Sequence, residues 1–155
     1  MGGLEGFWPM TLPFEGKVAI VQSVPLIAVR DVPASSAWYQ RLFGCSSDME
    51  AGHPHRQEFD RIVDGAGQVL IGFHAWNAEP ETPMDRHFAN PDDGQSGHGV
   101  VLGFTVEDLD QVLERARVMG AEFVGETATY PDRSRGQLVR DPDGYMIQLS
   151  SPRQS

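Results

Sequence analysis

Cysteine is almost missing from this chain of 155 residues. Cys45 stands alone, so no internal disulfide can form, and a reducing cytoplasm is the expected compartment. It is a poor candidate nucleophile, because it falls in a helix-to-strand connection with no base beside it. Positive charge is scarce as well. Twelve Lys and Arg residues face 22 Asp and Glu, for a net charge of -10. That balance excludes a nucleic-acid partner, whose phosphates demand cations, and leans toward a neutral or cationic small molecule. No run approaches the roughly 18 apolar residues of a membrane helix, so no membrane partner is expected. The first residues also lack the basic head and apolar run of a secretory signal. With 40% hydrophobic and 22% charged residues, the composition is that of a globular domain. The length fits one domain, or two small repeats sharing a core.

What is present is a pattern that occurs twice. Residues 1–16, rich in Gly, Pro and aromatic side chains, form an irregular arm expected to pack on the domain or on a partner subunit. Lys17–Arg30 reads as a strand, with Pro25 marking an edge or bulge. Asp31 and Pro33 then start a helix. Its buried stripe is predicted at Ala34, Trp38 and Leu42, and Gly44 ends it. Short strands follow at Ser46–Glu50, Gln57–Val63 and Gln68–Ala75, the last two joined by the turn Asp64-Gly65-Ala66-Gly67. Residues 77–97 read as a linker. The second half repeats the first: a strand at Gly99–Val106, then a helix capped by Asp108 and ended by Gly120. Strands near Phe123–Glu126, Gln137–Arg140 and Tyr145–Ser150 complete it. Val29-Arg30-Asp31 matches Val106-Glu107-Asp108, and Gly44 matches Gly120. The chain is an internal duplication of a βαβββ unit, with modules at 17–76 and 98–151.

The most informative stretch is Asp141-Pro142-Asp143-Gly144, a tight turn that opens directly into an alternating strand. Strand parity puts Tyr145, Ile147 and Leu149 on an apolar face, and Met146, Gln148 and Ser150 on a partly polar one.

These signatures resemble the vicinal oxygen chelate superfamily, the group of glyoxalases, bleomycin-resistance proteins and extradiol dioxygenases. They are Val29-Arg30-Asp31, Trp38-Tyr39 through Leu42-Phe43-Gly44, Val106-Glu107-Asp108-Leu109, and Asp141-Pro142-Asp143-Gly144 with Ile147-Gln148-Leu149. The resemblance covers about residues 18–151. It implies an α+β fold of two tandem βαβββ modules whose curled mixed sheets enclose a cleft. It also implies a homodimer, and in many members a divalent metal held by one residue from each of four strands. The corresponding positions here are Val24, Gly72, Val101 and Gln148. Val and Gly offer a metal no side-chain donor, and Gln only a neutral carbonyl oxygen. The resemblance therefore implies no metal, no cofactor and no catalytic residue at the usual place.

The cavity that parity leaves is apolar with a few polar points. Its candidate ligand contacts are Leu26, Leu70, His74, Trp76, Val101, Met146 and Gln148. Gly72 and Gly103 are expected to clear space for a flat ligand. His74 stands on the cavity side of its strand and has three readings: a hydrogen-bonded strand-end histidine, a ligand contact or base, or half of a displaced metal site with Gln148. His53, His55, His87 and His98 read as surface or linker residues. The leading expectation is a metal-free protein that sequesters a planar or cationic organic molecule, as in the bleomycin-resistance branch. The alternative is a metal-dependent lyase, isomerase or dioxygenase using a displaced site around His74 and Gln148, or His74 as general base. A third is a scaffold or regulator whose cleft is filled and whose arm mediates association.

Overall fold

Two sheets, each built from one half of the chain, face each other across a shared apolar core. The structure, a computed structural model, describes residues 23–76, 88 and 99–154. The first module runs β1 (Leu26–Val29), α1 (Val32–Phe43), β2 (Ser46–Ser47), β3 (Phe59–Val63) and β4 (Val69–Ala75). The second runs β5 (Val101–Thr105), α2 (Leu109–Val118), β6 (Glu122–Thr129), β7 (Arg135–Arg140) and β8 (Met146–Ser150). Their strand orders are β1-β4-β3-β2 and β5-β8-β7-β6, so the two sheets repeat one topology. In each, the first strand pairs in parallel with the last and the other pairs are antiparallel. This is the α+β duplication that the repeat implies. The expected arm at 1–16, residues 17–22 of the expected first strand and nearly all of the expected 77–97 linker lie outside the described residues.

Both helices start where their caps predict. The Asp31 carboxylate accepts from Ala34 N and that of Asp108 from Gln111 N, each satisfying a donor the helix cannot use internally. The buried stripe of α1 differs from the predicted one. Val32, Ser35, Ser36, Tyr39 and Leu42 are buried, while Ala34 is exposed and Trp38 only partly covered. The stripe is turned by one residue because Tyr39, not Trp38, reaches into the seam between the modules. Its ring lies 5.2 Å from Phe73 on β4 and 6.2 Å from Phe104 on β5. Strand limits also differ. β2 keeps two residues of the five expected, since Glu50–Phe59 coils through successive turns. β6 runs longer than expected because it resumes pairing with β7 beyond an irregularity after Val124.

The face of each sheet follows from parity. Ile27, Val29, Ile71 and Phe73 of the first sheet join Leu102, Val139, Ile147 and Leu149 of the second in one buried cluster. Burying such side chains contributes roughly 1.5–3 kcal/mol each. Polar bonds then fix how the modules sit together. The turn 141–144 is docked on the start of α1, with Gly144 at φ 90°, a conformation that favours glycine. Arg30 donates to Asp143 Oδ1 through its backbone N (2.9 Å) and its Nε (3.1 Å), and to Pro142 O through Nη2 (2.6 Å). Ser35 Oγ donates to Asp143 Oδ2 at 3.1 Å, and Tyr39 Oη to Asp141 Oδ2 at 2.8 Å. Tyr145 Oη returns a bond to Ala28 O at 2.8 Å.

Burial, and then the Asp141 carboxylate beside it, lift the Tyr39 hydroxyl well above its usual value of 10. The unfolded chain therefore releases this proton from about pH 10, while the folded chain keeps it. The stability tied to Tyr39 is complete below pH 10 and is lost as pH rises beyond. Tyr39→Phe should cost about 1–3 kcal/mol at pH 7, because Asp141 loses a buried donor. Above pH 10 its stability should fall less steeply than that of the wild type. Urea unfolding at pH 7 and across pH 9–11 checks both; equal slopes would refute the assignment.

Candidate functional site

The face of the second sheet turned away from the core carries the polar points. On β8, Gln148 stands level with Gly103 on β5 and Leu138 on β7, and Ser150 level with Thr105 and Gly136. Val101, Gly103 and Thr105 are exposed, Val101 at 56%. A Cβ added at Gly103 would meet nothing within 4 Å among the described residues, so the backbone is open there. A hollow of about 860 Å³ opens at the end of this face, lined by Thr105, Tyr130, Asp132, Gln148 and Ser150 among others.

Tyr130, at the tip of the β6–β7 hairpin, is the residue that sequence reasoning missed. Gln148 Nε2 donates to Tyr130 Oη at 3.1 Å. The pair rests on Gly136, where a Cβ would come within 3.0 Å of Tyr130 Cε2 and 3.1 Å of Gln148 Nε2. The tip is held by Tyr130 N donating to Ser134 O and Arg133 N to Tyr130 O. Asp132 accepts from Ser134 Oγ at 2.6 Å and Ser134 N at 3.0 Å, and these bonds hold its carboxyl below the usual range. Arg153 lies 3.3 Å from the same carboxylate. The available signal was Tyr130-Pro131-Asp132, a turn sequence before a strand that carries a glycine.

The seven predicted contacts do not gather at one place. Gln148 lines the hollow just described, whereas Leu70 and Val101 line a separate groove along the edge of β5. Met146 sits level with Val101 and Arg140. Leu26 is level with Gly72, and a Cβ at Gly72 would lie 2.9 Å from Leu26 Cδ1. The space expected above Gly72 is thus filled by the chain's own leucine. His74 stacks on the buried Phe88 with centroids 4.7 Å apart, and its Nδ1 is 2.7 Å from Ala75 O. Of its three sequence readings, this geometry matches the hydrogen-bonded strand-end histidine. Trp76 lies just past β4, half-buried, with its N donating to Val29 O at 3.4 Å. His53 and His55 are exposed in a turn, as expected; His87 and His98 lie outside the described residues.

The four positions at which the resemblance implies a metal do not fit one here. Val24 is exposed ahead of β1, Leu26 covers Gly72, Val101 is apolar, and the Gln148 amide is turned to Tyr130. One neutral oxygen does not offset the dehydration of a divalent ion. Among the described residues, no three His, Cys, Asp or Glu side chains are grouped to hold one elsewhere.

The hairpin tip also carries local strain. Arg133 has φ 63°, a left-handed conformation that side chains resist by about 1–2 kcal/mol. Arg133→Gly should stabilise the protein by up to about 1 kcal/mol while leaving Tyr130 in place. Urea unfolding with the Tyr130 ring signals in an NMR spectrum checks this; a destabilised variant would contradict it.

Among solved structures, the chain is similar to a glyoxalase/bleomycin resistance protein/dioxygenase family enzyme from Burkholderia phytofirmans PsJN. The identity is 23% over 83% of this chain and 96% of that one, with a TM-score of 0.62. Lactoylglutathione lyase from Agrobacterium tumefaciens matches at 18% identity over 87% of this chain and 96% of the other, TM-score 0.61. TioX from Micromonospora sp. ML1 matches at 20% over 86% and 98%, TM-score 0.60. At these identities the likeness concerns the fold. The Glyoxalase/Bleomycin resistance protein/Dioxygenase superfamily model matches residues 19–149, nearly the whole duplication. The chain belongs to the Glyoxalase/Bleomycin resistance protein/Dioxygenase superfamily.

Proposed function

We propose that this protein binds a small organic molecule without a metal ion, holding it on the open face of the second sheet rather than transforming it. The observation that carries this reading is the donor set at the four strand positions together with what stands beside it. Where a metal site would need anions and imidazoles, the chain places Val24, Gly72, Val101 and Gln148, and next to Gln148 it sets the ring of Tyr130. An exposed phenol held by an amide is a surface on which a planar or cationic ring can stack.

The hollow is open on the side away from the core. We infer that a second copy of the chain closes this side, making the binding unit a homodimer.

Titration calorimetry against planar and basic natural products tests the reading. A binder should emerge whose affinity falls about tenfold in Gln148→Ala and in Tyr130→Ala, the loss of roughly one hydrogen bond or stacking contact. No binder across a broad panel, or affinity indifferent to both substitutions, would sink it. Sedimentation should give a dimer; a monomer at micromolar concentration would remove the second copy from the account.

A further inference from the structure

The duplication relates turns as well as helices. One offset of 77 residues carries Arg30 onto Glu107 and the turn Asp64–Gly67 onto Asp141–Gly144. If the modules packed with full two-fold likeness, each turn would dock on the other module's helix start. Only one does. The turn 141–144 is bonded to Arg30, Ser35 and Tyr39, whereas Asp64, Gly65 and Ala66 are separated from Glu107, Gln111 and Val112 by a groove of about 950 Å³.

The side chains explain the difference. Where Arg30 grips Asp143 and Pro142, the repeat puts Glu107, of the same sign as Asp64, so the ion pair that docks the other turn cannot form here. Where Tyr39 reaches across to Asp141, the same offset puts Ala116, which is too short. The groove is left with acidic groups and an apolar lining that includes Phe43, Leu102 and Phe104. Among the described residues, the Glu107 carboxylate has no partner. Asp64 uses one oxygen, Oδ1, to accept from Ala66 N and Gln68 N at 2.9 Å each, and among the described residues Oδ2 has no partner. Cys45 lines the groove as well; burial raises its thiol, and the Asp64 carboxylate adds to the effect. Arg115, whose guanidinium lies over Gly44 at the end of α1, acts on the thiol in the opposite sense. The volume lies within the range of small-molecule sites.

We propose that this groove is a second binding site, separate from the sheet-face hollow, for an organic cation. An amidinium, guanidinium or ammonium on an apolar body would take, between Asp64 and Glu107, the place that Arg30 holds beside Asp143. The apolar body would lie on Phe43 and Phe104. Recognition needs both parts, because a desolvated charge pair contributes mainly where water is displaced around it.

Benzamidine is a suitable probe, with benzamide as its neutral isostere. The full chain should bind benzamidine, with amide shifts at Gly65, Ala66 and Gln111 and slower alkylation of Cys45 by iodoacetamide. Benzamide should bind at least about tenfold more weakly, and so should benzamidine to Asp64→Asn or Glu107→Gln. Glu107→Arg, which restores the charge pairing of the docked half, should abolish binding. Gln148→Ala should leave the Gly65, Ala66 and Gln111 shifts and the protection of Cys45 unchanged, so failure here is separable from failure at the sheet face. Equal binding of the two probes, indifference to the Asp64 and Glu107 substitutions, or no binding would each overturn the proposal. No binding would do so whether the groove is closed or filled by another segment of the chain.

Discussion

The contact between the 141–144 turn and the start of α1 is what the rest of the molecule depends on. Apolar faces alone would let the two sheets slide, since hydrophobic burial has no direction. The turn supplies direction. Asp143 accepts from two residues of α1's entry, Asp141 from Tyr39 within the helix, and Tyr145 bonds back to β1. The Asp143 side chain is 4% exposed although Arg30, its partner, is 74% exposed. The acid is thus sealed within the junction while the base closes it from solvent. Leaving any member unpaired would strand a buried polar group, which is why the geometry is specific as well as stable.

That constraint reaches the functional face through the register of β8. The turn ends at Tyr145, whose side chain goes into the core with Ile147 and Leu149, so Gln148 must point to the opposite face. From there its amide meets Tyr130 over the bare backbone of Gly136. The same junction also sets the asymmetry of the duplication. One turn is docked by an Arg–Asp pair, and its counterpart, facing Glu107, is not. Two halves with one topology have therefore been given different chemistry by a few charged and aromatic positions.

Much of this was legible in the residues. The helix caps and the Asp-Pro-Asp-Gly turn are local chemistry, so sequence locates them to within a residue or two. The repeat is visible by comparing the chain with itself, and the four strand positions then follow by counting. What was hidden depends on contacts distant in sequence. Tyr39 rather than Trp38 is buried because β5 supplies Phe104 across the seam. Gly72 is covered because Leu26, on the neighbouring parallel strand, lies over it. His74 is stacked on Phe88, a residue that reads only as part of a linker. Tyr130 was missed because nothing in a hairpin tip announces which side chain will fold back over the sheet.

Val24, Gly72, Val101 and Gln148 leave a divalent ion without an adequate ligand set at the four strand positions. Elemental analysis of protein purified without chelator, run beside the His74→Ala variant, tests it most directly. Zn, Ni, Fe and Mn are expected far below one equivalent in both. A full equivalent of any of them in the wild type, lost in His74→Ala, would contradict it.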